Sequence, residues 1–309
     1  MVVNMEYIEG KNFNYKKTAI TLGKFDGIHR GHQLLLKKTL SQKAKGLTSV
    51  MFTFSSHPQK VLFHKNIKLI YTLDEKRVLL DKWGIDVLIS YPFTEETVSI
   101  EAYDFVKDIL IGQLDAKMIV VGKDFRFGYN REGDINLLQK LSGEFDFELV
   151  VYNKFAIKNL TVSSTLIKTA ILDGNLEYAN HLLGSPYMVV GKVKHGRKIG
   201  RTLGFPTINI IPSASKLLPP NGVYVSNTNI KGRMYPGITN IGQNPTVGEI
   251  KQKQVETFLF DFDGDLYDKT ICVQILSMFR LEYKFDNIDL LKEQINRDII
   301  KGKTYFNLD

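Results

Sequence analysis

A single cysteine, Cys272, among 309 residues leaves no partner for an intramolecular disulfide and excludes any cysteine-cluster metal site. Long apolar runs are missing too. Met118–Val121 and Leu149–Val151 fall far short of the roughly 20 residues that a bilayer crossing needs, so no transmembrane helix is expected. Met1–Gly10 contains two glutamates and no basic residue, which gives neither a secretory h-region nor an Arg-rich transit peptide. These absences lead to the expectation of a cytoplasmic protein. Repeats and low-complexity tracts are absent as well. What is present is ordinary globular composition, 43% hydrophobic and 24% charged, over a length suited to two domains.

The formal net charge of +8 raises nucleic acid as a partner, but the excess is thinly spread: 17 basic against 12 acidic residues from Ser185 onward, 24 against 21 before it. Its densest cluster is Lys192, Lys194, Arg197, Lys198 and Arg201, set among Gly196, Gly200 and Gly204. That grouping suits a compact polyphosphate better than a long backbone track, so no nucleic-acid partner is expected.

The first half alternates β-rich apolar runs with amphipathic stretches, the pattern of a doubly wound α/β fold with a parallel sheet. Strands are expected at Thr18–Leu22, Leu47–Phe54, Val87–Tyr91, Lys117–Val121 and Phe147–Val151. Helices are expected at Gln33–Lys45, Asp74–Lys82, Ile100–Gly112, Ile135–Leu141, Ser163–Leu172 and Leu176–Leu183. Gly184-Ser185-Pro186 then breaks the pattern, which places a domain boundary between 1–184 and 185–309. Beyond it, short strands at Met188–Lys194, Thr207–Ile211, Gly222–Thr228, Met234–Ile241, Val255–Phe260 and Thr270–Met278 read as a small antiparallel barrel, with a terminal helix near Ile288–Ile300.

The first strand runs into Gly23-Lys24-Phe25-Asp26-Gly27-Ile28-His29-Arg30-Gly31-His32, where a helix begins. Histidines three apart in the first turn of a helix project to one side, where backbone N–H groups also favour anions. There they could donate to phosphate oxygens and stabilise charge gathering on an α-phosphate under attack. Zinc is a weaker reading, because helical zinc pairs use i, i+4 spacing with an accompanying Glu. For the tetrapeptide alone, a structural role for both histidines stands level with the functional one.

Three further segments belong at the same rim of the sheet: Thr53-Phe54-Ser55-Ser56-His57-Pro58, Gly122-Lys123-Asp124-Phe125-Arg126-Phe127-Gly128, and Val162-Ser163-Ser164-Thr165. With the histidine turn, they resemble the FMN adenylyltransferase module of prokaryotic bifunctional riboflavin kinase/FAD synthetases, part of the HxGH nucleotidyltransferase superfamily, over most of residues 18–183. The resemblance implies that His29 and His32 hold the ATP phosphates. It implies that Gly23, Phe25 and Asp26 shape the ATP-binding turn, and that Ser163, Ser164 and Thr165 contact polyphosphate. His57, Pro58, Asp124, Phe125 and Arg126 would build the flavin-nucleotide side, although Phe54, Phe125 and Phe127 also read as core. Three positions depart from the family pattern: Lys24 for Asn, Ser56 for Pro, and Lys168 for the Arg that closes the SSTxxR block. Lys keeps the attraction of Arg for phosphate without its planar bidentate fork, so slower adenylyl transfer is expected.

After the basic cluster comes Gly200-Arg201-Thr202-Leu203-Gly204-Phe205-Pro206-Thr207-Ile208-Asn209, the most specific string in the chain. Its glycines allow backbone amides to approach phosphates, Thr202 adds a hydroxyl, and Thr207 and Asn209 place two neutral oxygen ligands on one face of a strand, a partial Mg²⁺ site. A barrel loop leading into a strand is the plainer alternative. The string resembles the riboflavin kinase signature. The likeness continues through Gly222-Val223-Tyr224, Tyr235-Pro236-Gly237-Ile238-Thr239-Asn240-Ile241-Gly242 and Val255-Glu256-Thr257, covering nearly all of 187–302. It implies that Thr207 and Asn209 bind Mg²⁺-nucleotide, that Gly200 and Thr202 lie at the phosphates, and that Glu256 is the catalytic base. Asp261-Phe262-Asp263-Gly264-Asp265 lacks the spacing of a calcium loop and reads as a hairpin turn. Arg280 and Arg297 are flavin contacts or surface ion pairs.

The leading expectation is therefore a two-reaction enzyme: riboflavin and ATP give FMN and ADP, then FMN and ATP give FAD and pyrophosphate, in a monomer or weak homo-oligomer. Two alternatives stand beside it. In one, the kinase is fully active and the adenylyltransferase weakened; in the other, an old enzyme fold binds flavin or RNA without turnover.

Overall fold

The computed structural model describes residues 4–55, 67–195, 205–243 and 253–308. The chain divides into two compact units, one of Met1–Ile67 with Lys76–Ser163, the other of Lys68–Glu75 with Ser164–Asp309.

In the first unit, runs such as Thr-Ala-Ile-Thr-Leu and Val-Leu-Ile-Ser-Tyr are buried along their whole length, as parallel strands covered on both faces must be. They belong to a six-stranded sheet in the order β1-β4-β3-β2-β5-β6, every pairing parallel. The strands are β1 (Glu6–Glu9), β2 (Thr18–Leu22), β3 (Thr48–Phe54), β4 (Val87–Tyr91), β5 (Ala116–Gly122) and β6 (Glu148–Tyr152). The sequence pattern does not reveal β1. Its four residues, Glu-Tyr-Ile-Glu, include none that is fully buried, and pairing with β4 alone makes them a strand.

Helix α1 (Arg30–Ser41) follows β2, α2 (Leu73–Trp83) precedes β4, and α3 (Ile135–Phe145) precedes β6. The expected helix at Ile100–Gly112 is Ala102–Asp104 running on as a π-helix over Phe105–Gln113. Its buried residues Phe105, Val106, Ile109 and Leu110, with Leu114, recur at four and five positions, a spacing that i→i+5 turns bring onto one face. A two-stranded hairpin, β7 (Ala156–Ile157) and β8 (Leu160–Thr161), follows the sheet.

In the second unit, α4 (Ser164–Leu172) and α5 (Leu176–Leu183) lead into a closed antiparallel barrel of order β10-β13-β12-β11-β14-β9. Asn180 fastens α5 to the barrel, with Nδ2 donating to Ile275 O and Leu276 O and Oδ1 accepting from Tyr187 N. The strands are β9 (Tyr187–Lys194), β10 (Thr207–Ile210), β11 (Gly222–Ile230), β12 (Arg233–Gln243), β13 (Lys253–Leu259) and β14 (Thr270–Leu281). Helix α6 (Ile288–Tyr305) lies close against the barrel at Gly302, where a Cβ would come within 2.8 Å of Ile238 and Phe260. The reading of Asp261–Asp265 as a hairpin turn is corrected here. β13 pairs with β10 and β12, and β14 with β9 and β11, so the segment links strands that are not neighbours.

Lys68–Glu75 is held in this unit by a buried ion pair. Lys216 Nζ lies 2.8 Å from Glu75 Oε2, with both side chains 1% exposed. The ammonium also donates to Ile70 O and Met188 O at 2.7 Å, between the stacked rings of Tyr71 and Tyr187. Glu75 in turn accepts from Val190 N and forms a capping box with Thr72. Removing one member of a buried pair typically costs about 3–5 kcal/mol, since the other charge stays buried. Glu75→Ala is expected to lose that much in urea unfolding of the full chain. A loss below about 1 kcal/mol, the value of an exposed pair, would contradict this account of the pair.

Candidate active sites

β2, β3 and β4 build the sheet to one side, β5 and β6 to the other, so the crevice where ligands gather in such sheets lies beyond the carboxyl ends of β2 and β5. Gly23–Gly27 leaves β2 at that point. Phe25 (φ 47°) and Ile28 (φ 42°) occupy left-handed backbone that costs non-glycine residues on the order of 1–3 kcal/mol each, and both are held there by near-complete burial.

His29 caps α1, its Nδ1 accepting the His32 backbone N–H at 3.4 Å. With Nδ1 as acceptor, the proton of the neutral ring sits on Nε2 and is available to a ligand. The two imidazoles stack with centroids 3.7 Å apart, and the Phe25 ring meets His32 edge-on at 5.1 Å. Gly31 makes the stack possible, because a Cβ there would lie 3.2 Å from Cε1 and Nδ1 of His29. The two rings therefore lie together on one side at the start of α1, as their spacing predicts.

Burial pushes His29 down to about 4, against the opposing pull of Asp26 and its own backbone hydrogen bond. Burial, then the charges of His29 and Lys76, push His32 well below the usual imidazole range. At neutral pH both rings are uncharged donors. Between about 4 and the ordinary 6.5 the unfolded chain binds a proton at His29 that the folded chain refuses, so stability rises with pH across that window and falls on acidification. This unit is expected to lose on the order of 3 kcal/mol from His29 between pH 7 and pH 4. Urea titrations at both pH values should show His29→Gln losing less. Equal losses in the two proteins would rule out His29 as the source.

Thr53 and Phe54 end β3, and Asp124, Phe125 and Arg126 turn away from the end of β5, all at the rim that carries the histidines. Phe125 stacks on Phe127 at 5.5 Å and packs against the core, as its plainer reading holds. Arg126 Nη1 lies 3.1 Å from Asp134 Oδ2, and Asp124 pairs with Lys154 at 3.3 Å. The Asp124–Lys154 pair is exposed and the Arg126–Asp134 pair partly so, surface pairs of the kind a ligand can displace. Ser163 ends the first unit, whereas Ser164 and Thr165 open α4 in the second. There Lys168 Nζ donates to Lys68 O at 2.8 Å. His57 and Pro58, and likewise Gly200 and Thr202, lie outside the described residues. Sequence reasoning missed Lys76, 7% exposed on α2 with Nζ donating to Lys24 O at 2.9 Å. Its one signal is position, since Leu80 at i+4 is fully buried and puts Lys76 on the inward face of the helix.

In the barrel, register assembles the second site. β10 pairs with β13 so that Asn209 faces Glu256, and β12 pairs with β13 so that Asn240 faces Glu256 from the other side. Directly opposed residues share a face, so these three form one row across three strands. Thr207 lies two positions from Asn209 on the same face, and Asn209 Nδ2 approaches Thr207 Oγ1 at 3.5 Å. Asn209 Oδ1 is buried with no hydrogen-bond partner among the described residues. Leaving such an oxygen unsatisfied costs about 1–3 kcal/mol, and a hard cation would satisfy it. Arg280 pairs bidentately with Asp298 and lies over the Tyr283 ring, while Arg297 meets Glu293 at 3.5 Å; both form ion pairs.

Among the described residues no helix is long and apolar enough to cross a membrane. Residues 11–166 match the family described as FAD synthetase, and residues 183–306 the family described as riboflavin kinase. The chain is 38% identical to the bifunctional riboflavin kinase/FMN adenylyltransferase of Buchnera aphidicola subsp. Schizaphis graminum, over 98% of this chain and 100% of that protein. It is 37% identical to the Escherichia coli K12 protein of the same name, over 94% and 93%. A Streptococcus pneumoniae crystal structure, that of a protein named for macrolide efflux, matches with a TM-score of 0.81 at 31% identity, over 95% of this chain and 97% of that one.

Proposed function

The chain belongs to the bifunctional riboflavin kinase/FMN adenylyltransferase family, and on that premise we propose which of its residues carry each reaction. It is an enzyme that uses ATP twice, phosphorylating riboflavin to FMN and adenylylating FMN to FAD. Relatives named for both activities and matched over nearly their whole length favour this over a kinase with a weakened adenylyltransferase domain. The observation that supports the assignment is that each unit has its own polar constellation: stacked neutral imidazoles at the sheet's switch point, and the Asn209–Glu256–Asn240 row in the barrel.

In residues 1–184, adenylyl transfer breaks the bond between the α- and β-phosphates of ATP as an FMN phosphate oxygen attacks the α-phosphorus and pyrophosphate leaves. His29 Nε2–H and His32 donate to the oxygens on which charge gathers. Gly23, Phe25 and Asp26 hold the ATP-binding turn, and Ser163, Ser164, Thr165 and Lys168 bind polyphosphate. His57, Pro58, Asp124, Phe125 and Arg126 form the flavin-nucleotide side. Asp124 and Arg126 exchange their present ion pairs for the ligand.

In residues 185–309, Glu256 orients the riboflavin 5′-hydroxyl and accepts its proton as the γ-phosphoryl group passes to that oxygen and ADP departs. Thr207 Oγ1 and the unsatisfied Asn209 Oδ1 fit Mg²⁺, which would neutralise phosphate charge when bound. Gly200 and Thr202 complete the phosphate loop.

A time course from riboflavin and Mg-ATP tests the whole reading: FMN is expected to appear first and FAD after it. FMN that accumulates with no FAD, even after FMN and fresh Mg-ATP are supplied, would leave only the kinase.

A further inference from the structure

We propose that Lys76 is a positioning residue for adenylyl transfer, a buried ammonium that fixes the turn carrying His29 and His32 through the carbonyl of Lys24. The proposal rests on the assignment of those histidines to the ATP phosphates.

A nearly buried ammonium is costly unless polar groups receive its protons, and here Lys24 O does so at 2.9 Å. Thr53 Oγ1 reaches the same oxygen at 3.4 Å, so donors from a helix and from β3 converge on one carbonyl. That carbonyl stands where the chain leaves β2, immediately before the left-handed residue Phe25. The Phe25 ring is 1% exposed and meets the His32 imidazole edge-on, which leaves it little room to shift. A displacement at Lys24 is thus passed through Phe25 to His32, and through the 3.7 Å stack to His29.

The ammonium also acts through its charge. Its field adds to burial in keeping His32 unprotonated, His29 acts in the same sense once it is itself protonated, and Asp26 acts on His29 in the opposite sense. Lys24 is a further cation of the same turn, and burial and Arg131 weaken its own hold on a proton. Lys76 therefore acts on His32 through its charge as well as through the turn, and favours the neutral imidazole. A methionine of similar length would lose both the hydrogen bond and the field; an arginine would keep the charge.

The test uses the full chain with Lys76→Met, Lys76→Arg and His32→Ala. Misplacement of reacting groups by about 1 Å can cost on the order of 10²-fold. Lys76→Met is expected to lower FMN adenylylation by that factor, to leave riboflavin phosphorylation at the parental rate, and to raise the pH at which the His32 imidazole titrates by NMR. Lys76→Arg should keep the low titration and recover part of the rate. A Lys76→Met protein, folded by circular dichroism, that adenylylates FMN at the parental rate or keeps the parental His32 titration overturns the proposal. Parallel loss of both reactions also overturns it, because that marks a general structural role. His32→Ala separates the two levels: if it alone leaves FAD synthesis intact, the site assignment fails, whereas its loss beside an unimpaired Lys76→Met refutes only the role of Lys76.

Discussion

Glu256→Gln is expected to reduce riboflavin phosphorylation by about 10²–10⁴-fold, the range associated with loss of a general base, while FMN adenylylation continues at the parental rate. Phosphoryl transfer depends mainly on positioning and charge neutralisation, so the base must sit beside the nucleotide site. Strand register sets Glu256 opposite Asn209, the residue proposed to hold the metal of the nucleotide. Gln keeps the size and hydrogen-bonding reach of Glu and removes only its capacity to take the proton. Mg-ATP affinity, measured by calorimetry, should stay near parental because Thr207 and Asn209 are untouched. Initial rates with riboflavin and with FMN complete the measurement. A Gln variant that phosphorylates riboflavin normally would turn the search to other carboxylates of the barrel.

His29→Ala or His32→Ala should lower FAD synthesis by about 10²–10³-fold, comparable to removing one oxyanion-hole donor, and leave the kinase reaction in place. The geometry makes the two losses similar. The rings stack on each other, so deleting either loosens the other. Single-turnover formation of FAD from FMN and Mg-ATP isolates the chemical step. Equal decline of both activities would assign the pair to folding alone.

Much of this was legible locally. The buried runs at Thr18–Leu22 and Val87–Tyr91 announce a parallel sheet, the short strands after Gly184 announce a barrel, and the glycine-spaced histidines identify their own turn, because each depends on neighbours within one turn or strand. Family resemblance extended this to Glu256, Thr207 and Asn209, whose motifs are contiguous. It could not state the protonation of the histidines, which follows from their burial.

Tertiary structure alone decided the rest. Glu6–Glu9 has no periodicity to mark it and becomes a strand by pairing with β4. β13 and β14 are consecutive in sequence yet separated in the barrel, a matter of closure that no turn motif records. Glu75 and Lys76 read as two charges on an amphipathic helix. Their burial depends on what the fold lays over them: Lys216, 141 residues away from Glu75, and the Lys24 carbonyl, 52 residues from Lys76. Sequence determined which segments are helix, strand and turn, since backbone periodicity is a short-range property. The fold decided which polar groups lose water and so which must find a partner, since desolvation is set by residues that only the folded chain brings together.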